Sequence, residues 1–238
     1  MARIVAKNCG ILLGPRDISG RHNSVTLTMS SEAPEVTCFT EGTRTRLPGG
    51  LRDVEVSLDG FYDAAASQVK ELYDSLIGAS AWTGIYPAGV TGSYAGYEFQ
   101  GILTEYAPNA AVADAVALTA TITGCAPLLY SKVIATCAAV GNGTSACVAS
   151  VDFAAAATGS VVGILRLHVM SGATPDISAC LQDSADDATF ATIIAFGGAS
   201  AGNAILVGAA TSAARYRHIK YLHNANVTFT LTCGSMVT

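Results

Sequence analysis

Three aspartates crowd one short stretch: Asp183, Asp186 and Asp187. Carboxylates at close spacing hold calcium when a loop wraps them around the ion. The EF-hand type of loop also needs a glycine at its sixth position and a closing glutamate, and neither is present. The cluster therefore reads as a solvated turn between strands. The histidines offer no better centre. His218 and His223 are five residues apart, which in a strand puts them on opposite faces, and helical spacing separates them too. His168 interrupts an apolar run, His22 sits in a polar stretch, and no carboxylate is spaced to orient any of them on a metal. There is no Gly-x-Ser-x-Gly elbow, phosphate loop or dinucleotide fingerprint. No catalytic residue, metal or cofactor is assigned, and the chain reads as a non-enzyme.

One further stretch bears chemistry. Residues 215–221, RYRHIKY, are basic with interleaved aromatics, the pattern of a nucleic-acid surface. A single such strand in a neutral half of an acidic chain reads instead as a solvated strand face. Tyr216 or Tyr221 is then expected to pack inward, with a bulge near Arg217 to absorb the imperfect alternation.

The elements that would carry these residues are mostly strands. Residues 24–30, SVTLTMS, alternate, with Val25, Leu27 and Met29 expected inside. Pro34 and residues 36–39 begin a second strand, which enters a basic loop, 41–50, containing Arg44, Arg46, Leu47 and Pro48. A strand over 51–59 follows, with Val54, Val56 and Leu58 on one face and Asp53, Glu55, Ser57 and Asp59 on the other. Gly60 is expected to break it. One helix is expected over 64–77, because Val69, Leu72, Tyr73 and Leu76 form an apolar stripe between an Asp63 cap and Gly78. Strands over 82–86, 94–104 and 113–124 complete the first half. Eight candidate strands then run through 132–140, 145–152, 161–170, 176–182, 189–196, 203–209, 214–222 and 226–233, the rhythm of a sandwich or jelly roll.

Composition adds limits. Only 13% of the residues are charged, about half the usual share, which fits a surface covered in an assembly. Residues 1–127 hold 8 Lys/Arg against 13 Asp/Glu, a balance of −5, whereas 128–238 hold 5 and 5. The chain is therefore divided at about Pro127, into 1–127 and 128–238. The longest apolar stretch, 161–170, is broken by Arg166 and His168 and is too short to cross a bilayer. No secretory signal is read at the N-terminus, and the two Asn-x-Thr matches, at Asn142 and Asn226, read as chance. Seven cysteines, an odd number without a Cys-x-x-Cys pair, are read as reduced. Cys38, Cys125, Cys137, Cys147, Cys180 and Cys233 are expected to be small buried side chains.

Several stretches, in order, carry a resemblance. SVTLTMS leads to EVTCFTEGTRTRLPGGLRDVEVSLDGFYD, then to LYDSLIG, YPAG, a YAGYEFQGILTEYAP hairpin and VADAVALTATITG. Over residues 10–125 this resembles the tail tube proteins of long-tailed bacteriophages, departing from them by the extra glycine of Pro48-Gly49-Gly50. The second half is similar, more loosely, to the β-sandwich modules appended to phage structural proteins. The resemblance implies a mainly β chain: a tail-tube-type sandwich or barrel with one flanking helix, plus a C-terminal sandwich of jelly-roll or immunoglobulin type decorating the particle. It implies a virion protein assembled in the host bacterial cytoplasm. Six-membered rings would stack into a tube that meets other tail proteins at its ends and lets double-stranded DNA through without sequence-specific binding. Arg44, Arg46, Leu47 and Pro48 are then expected to join subunits, and Asp53, Glu55, Ser57 and Asp59 to face the lumen. The alternative is a particle-attached binding module whose second half recognises a host-surface glycan.

Overall fold

The computed structural model describes residues 8–33, 35–36, 43–44, 46, 52–62, 69–91, 93–110, 116–139, 143–146, 150–153, 159–172, 175–224 and 226–236. The described chain is mainly antiparallel β with one α-helix, as the patterning predicts. It forms two compact units. One comprises residues 21–81 and 100–126, the other 1–20, 82–99 and 127–238. The chain passes between the units after residues 20, 81, 99 and 126. The units themselves are not consecutive, because 1–20 and 82–99 fold with 127–238.

The smaller unit is built on strands β3 (His22–Ser31), β4 (Arg52–Phe61), β7 (Ala117–Gly124) and the later part of β6 (Ala95–Asn109). Pairing runs β3–β4–β7–β6, all antiparallel. Val54, Val56, Leu58, Leu118, Ala120 and Ile122 are buried on one face, because strict alternation puts them all on that side. Helix α1 (Val69–Leu76) lies over this face, burying Val69, Leu72 and Tyr73. The Tyr73 ring stands 5.2 Å from that of Tyr106, and its hydroxyl is 2.9 Å from His22 Nε2. Burial pushes the Tyr73 phenol far above its ordinary value. The start expected for the helix, with its Asp63 cap, lies outside the described residues.

One glycine behaves differently from the sequence expectation. Gly60 does not break β4, which continues to Phe61. A Cβ at Gly60 would stand 2.4 Å from the Arg21 carbonyl oxygen, so glycine is there to let β3 approach. Similarly, YAGYEFQGILTEYAP is not a hairpin. Its residues from Ala95 onward form the single fifteen-residue strand β6. Gly96 lets β6 approach β5 closely, since a Cβ there would meet the Ile85 carbonyl oxygen at 2.4 Å. Met29 is also unlike its expectation. It is 53% exposed, because β3 has no described neighbour beyond β4 to cover that end of the face.

The larger unit contains β1 (Gly10–Leu13), β2 (Arg16–Asp17), β5 (Ser80–Tyr86), β8 (Leu129–Ala139), β9 (Gly143–Ala146), β10 (Val151–Asp152) and β11 (Gly159–Ser171). It is completed by β12 (Ile177–Ser184), β13 (Ala191–Ala199), β14 (Ala204–Ser212), β15 (Tyr216–His223) and β16 (Asn226–Met236). One sheet runs β14–β11–β16–β8–β6–β5–β1–β2, and a second runs β10–β15–β12–β13 with β9 on β15. Leu165, Leu167, Phe229, Leu231 and Cys233 of the first sheet meet Leu181, Ile194, Phe196, Ile219 and Tyr221 of the second in a sandwich core. The second-half strand readings hold to within a few residues, apart from 145–152, which is divided between β9 and β10.

The first sheet also rolls back on itself. In a flat sheet, β1 would stand five strand spacings, roughly 24 Å, from β11. Yet Arg166 of β11 donates to the carbonyl oxygen of Gly14, just after β1, at 3.0 Å, and His168 reaches Pro15. The rolled sheet therefore has two buried faces, and this is why 161–167 reads as almost continuously apolar.

Candidate functional site

Most side chains singled out by type have partners within the fold. Asp186 caps its own turn: Oδ1 accepts from Ser184 Oγ at 2.8 Å and from the Ala188 and Thr189 amides, each at 3.0 Å. These bonds hold its carboxyl down at about 2. Asp183 accepts from Ser212, and Asp187 from Ser150. Among the described residues no three His, Cys, Asp or Glu side chains are placed to hold a metal. His218 and His223 lie on opposite faces of β15, as their spacing requires. His218 stacks on Phe190, with ring centroids 3.8 Å apart, and its Nε2 donates to Gln182 Oε1 at 2.7 Å. His168 donates from Nδ1 to the Pro15 carbonyl at 2.7 Å and accepts at Nε2 from Thr230 Oγ1 at 2.9 Å. Burial lowers the pKa of both His168 and His218.

The basic strand differs from expectation at its centre. There is no bulge at Arg217: β12 and β15 pair in unbroken register from Ile177↔His223 to Ser184↔Tyr216. Arg217 occupies an inward position, 3% exposed, with its guanidinium 4.2 Å from the Phe153 ring centroid and 3.8 Å from Cys233 Sγ. Tyr221 packs inward as foreseen, within 3.1 Å of Cys137 Sγ, and Arg215 and Lys220 are exposed. Of the cysteines, Cys233 is buried, while Cys9, Cys137 and Cys180 are half-buried. Cys125 departs from the expectation, being exposed where the chain leaves β7. Cys38 and Cys147 lie outside the described residues.

A buried ionic network escaped sequence reasoning. Glu98 of β6 and Arg166 of β11 are both fully buried and form two parallel bonds, Nη1–Oε1 at 2.9 Å and Nη2–Oε2 at 3.1 Å. Tyr86 and Thr232 hydroxyls also donate to Glu98 Oε1, at 2.6 and 2.7 Å, and Tyr86 contacts Ser131 Oγ at 2.8 Å. Arg166 Nε is satisfied by the Gly14 carbonyl. Burial, then the Glu98 charge, pushes the Tyr86 phenol well up. The network ties β5, β6, β11 and β16 together through side chains. The available signal was the lone Arg166 in an apolar run.

The surface that brings predicted site residues together is the outer face of the smaller unit's sheet. Asp53, Glu55 and Asp59 are exposed and Ser57 is half-buried on β4, as alternation predicts. Their cross-strand neighbours were not foreseen. Ser24, Thr26, Thr28 and Ser30 lie opposite them on β3, and Thr119, Thr121 and Thr123 on β7, with Glu105 across from Thr121. The rungs form a carpet of hydroxyls carrying four carboxylates and no Lys or Arg. The basic loop is seen only in part. Exposed Arg44 pairs with exposed Glu35 at 3.7 Å, and Arg46 bridges Glu35 through the backbone. Leu47 and Pro48 lie outside the described residues.

No family model and no curated protein matches the chain. Among solved structures, a chain of the virion of a native gene transfer agent particle is similar at 13% identity and TM-score 0.46, over 54% of this chain and 98% of that one. The SPP1 Dit protein, described as a hub adsorption apparatus of phages infecting Gram-positive bacteria, is similar at 12% identity and TM-score 0.37, over 98% of this chain and all of that one. A chain of the phage P2 baseplate in its activated conformation follows at 9% identity and TM-score 0.34, over 94% and 97%. At these scores the likenesses assign no function to this chain.

Proposed function

We propose that the chain is a structural virion protein, a tail tube subunit that assembles into stacked six-membered rings through which double-stranded DNA passes. The observation that carries this reading is the hydroxyl-and-carboxylate face made by β3, β4, β7 and β6. Duplex DNA carries one charge per roughly 1.7 Å, so a basic wall would hold it by counterion release and slow its passage. A face with Asp53, Glu55, Asp59 and Glu105 among serines and threonines repels phosphate weakly and offers no cation to pair with it. The ordered series of family-like stretches supports the same reading. So does β3, which among the described residues is an edge strand that an adjoining subunit could cover. In this proposal Arg44, Arg46, Leu47 and Pro48 join subunits. The sandwich formed largely by 128–238, with 1–20 and 82–99 folded onto it, decorates the particle, which is built in the host cytoplasm.

Electron microscopy of the purified chain tests the proposal: rings or tubes are expected, and a persistent monomer under all conditions refutes it. Lumen assignment is tested by Asp53→Lys/Glu55→Lys, which should make assembled tubes retain DNA at low salt. A second reading, glycan recognition, is favoured by the outward Phe190–His218–Gln182 group. Saturable binding of the full chain on a glycan array would support it.

A further inference from the structure

Among the described residues, one edge of the sandwich lacks the usual safeguards of an open strand. From Ala188 to Ala214 there is no Asp, Glu, Lys, Arg or Pro. This stretch supplies both β13 and β14, which end the two sheets. Among the described residues β14 pairs only with β11. It does so over its whole length, from Ala204↔Leu167 to Ser212↔Gly159, without a bulge. Val207 is 45% exposed, and Ala209 and Thr211 are exposed beside it. Open edges are ordinarily blunted by a lysine, a proline, a bulge or a short length. This one is nine residues long and has none of these.

We propose that β14 pairs antiparallel with the β14 of a second copy, joining their sheets about a local two-fold axis at Gly208. An open strand edge is satisfied by another strand edge, and this one is self-complementary. Centring the pair on Gly208 puts Val207 opposite Ala209, Leu206 opposite Ala210 and Ile205 opposite Thr211. Each pair lies on the same side of the sheet, because residues related by that axis have the same parity. The strand holds no charged residue, so no like charges are brought together across the joined edge. A two-fold contact cannot be the repeat of a polar stack. It therefore joins chains before or outside the tube, and it stands whether or not the tube reading does.

Sedimentation velocity of the full chain, from low micromolar upward, should show a monomer–dimer equilibrium. Val207→Lys should weaken it at least tenfold while circular dichroism is unchanged. Because that variant could misfold, a second one fixes the geometry. Val207→Cys/Ala209→Cys should form an interchain disulfide on mild oxidation, as directly opposed strand residues lie within bridging distance, and wild type should not. A wild type that stays monomeric, a Val207→Lys dimer of unchanged affinity, or no cross-link in the double variant would each overturn the proposal. Rings or tubes formed by Val207→Lys would leave the tube reading intact, so the two claims fail separately.

Discussion

Replacing Arg166 by Met should destabilise the protein severely. The side chain is 0% exposed and supplies two of the four bonds to Glu98. Methionine fills much of the volume but leaves the carboxylate buried with only the Tyr86 and Thr232 hydroxyls, and it orphans the Gly14 carbonyl oxygen. Removing one partner of a buried pair costs about 3–5 kcal/mol. For a chain of this size each kcal/mol shifts Tm by roughly 2–4 °C, so a drop of about 6–20 °C is expected. Glu98→Leu alone should cost a similar amount, because it strands the guanidinium. Combining the two should recover much of the loss, since an apolar replacement of both charges is often nearly neutral. The double-mutant cycle, read by calorimetry or urea midpoints at pH 7, should therefore show strongly non-additive losses. Additive losses, or a shift below about 2 °C for Arg166→Met, would refute the view that this pair clamps the rolled sheet.

Other perturbations test the remaining contacts. His168 is held neutral by burial, so its folded pKa lies below the unfolded value of 6.5. The unfolded chain then takes up the proton first. Stability should thus be full above about pH 6.5 and fall, by at most about 1.4 kcal/mol per pH unit, as the pH drops toward the folded value. His168→Gln should flatten that slope in pH-dependent urea melts, leaving the contribution from His218. Gly96→Ala should lower expression of soluble protein, because the new Cβ meets the Ile85 carbonyl oxygen at 2.4 Å and backbone cannot yield cheaply. Tyr73→Phe removes the bond to His22 and should cost about 1 kcal/mol, seen as faster hydrogen exchange in α1. Arg44→Glu/Arg46→Glu should leave a folded chain that fails to elongate in microscopy, and high salt should weaken wild-type assembly in the same direction.

Much of this was legible because strands that bury one face announce it. Val54, Val56 and Leu58 against Asp53, Glu55 and Asp59 follow from a period of two, and the stripe of α1 from a period of 3.6. What pairs with β4 was not legible, since Thr119, Thr121 and Thr123 become its neighbours only through a long-range register. The same limit hid Glu98 and Arg166. Each is a lone charge in an apolar setting, and their meeting depends on a sheet that rolls through β16, β8 and β6. Gly60 was misread because a glycine at a close approach and one that ends a strand look alike in one dimension. Arg217 was read as solvated because its cover, the Phe153 ring, comes from a different strand–loop segment.

The interleaving of the two units sets a timetable for synthesis. Residues 21–81 and 100–126 have all their partners once the ribosome has passed Ala126. The other unit does not. Glu98 and Tyr86 are made early, but Arg166 arrives later, and Thr232 later still. At about 5–20 residues per second, the interval from 126 to 236 is roughly 5–20 s. During it, an ionisable side chain and the strands beside it wait in water for their neighbours. A nascent chain stalled in this window is the species on which a chaperone would act.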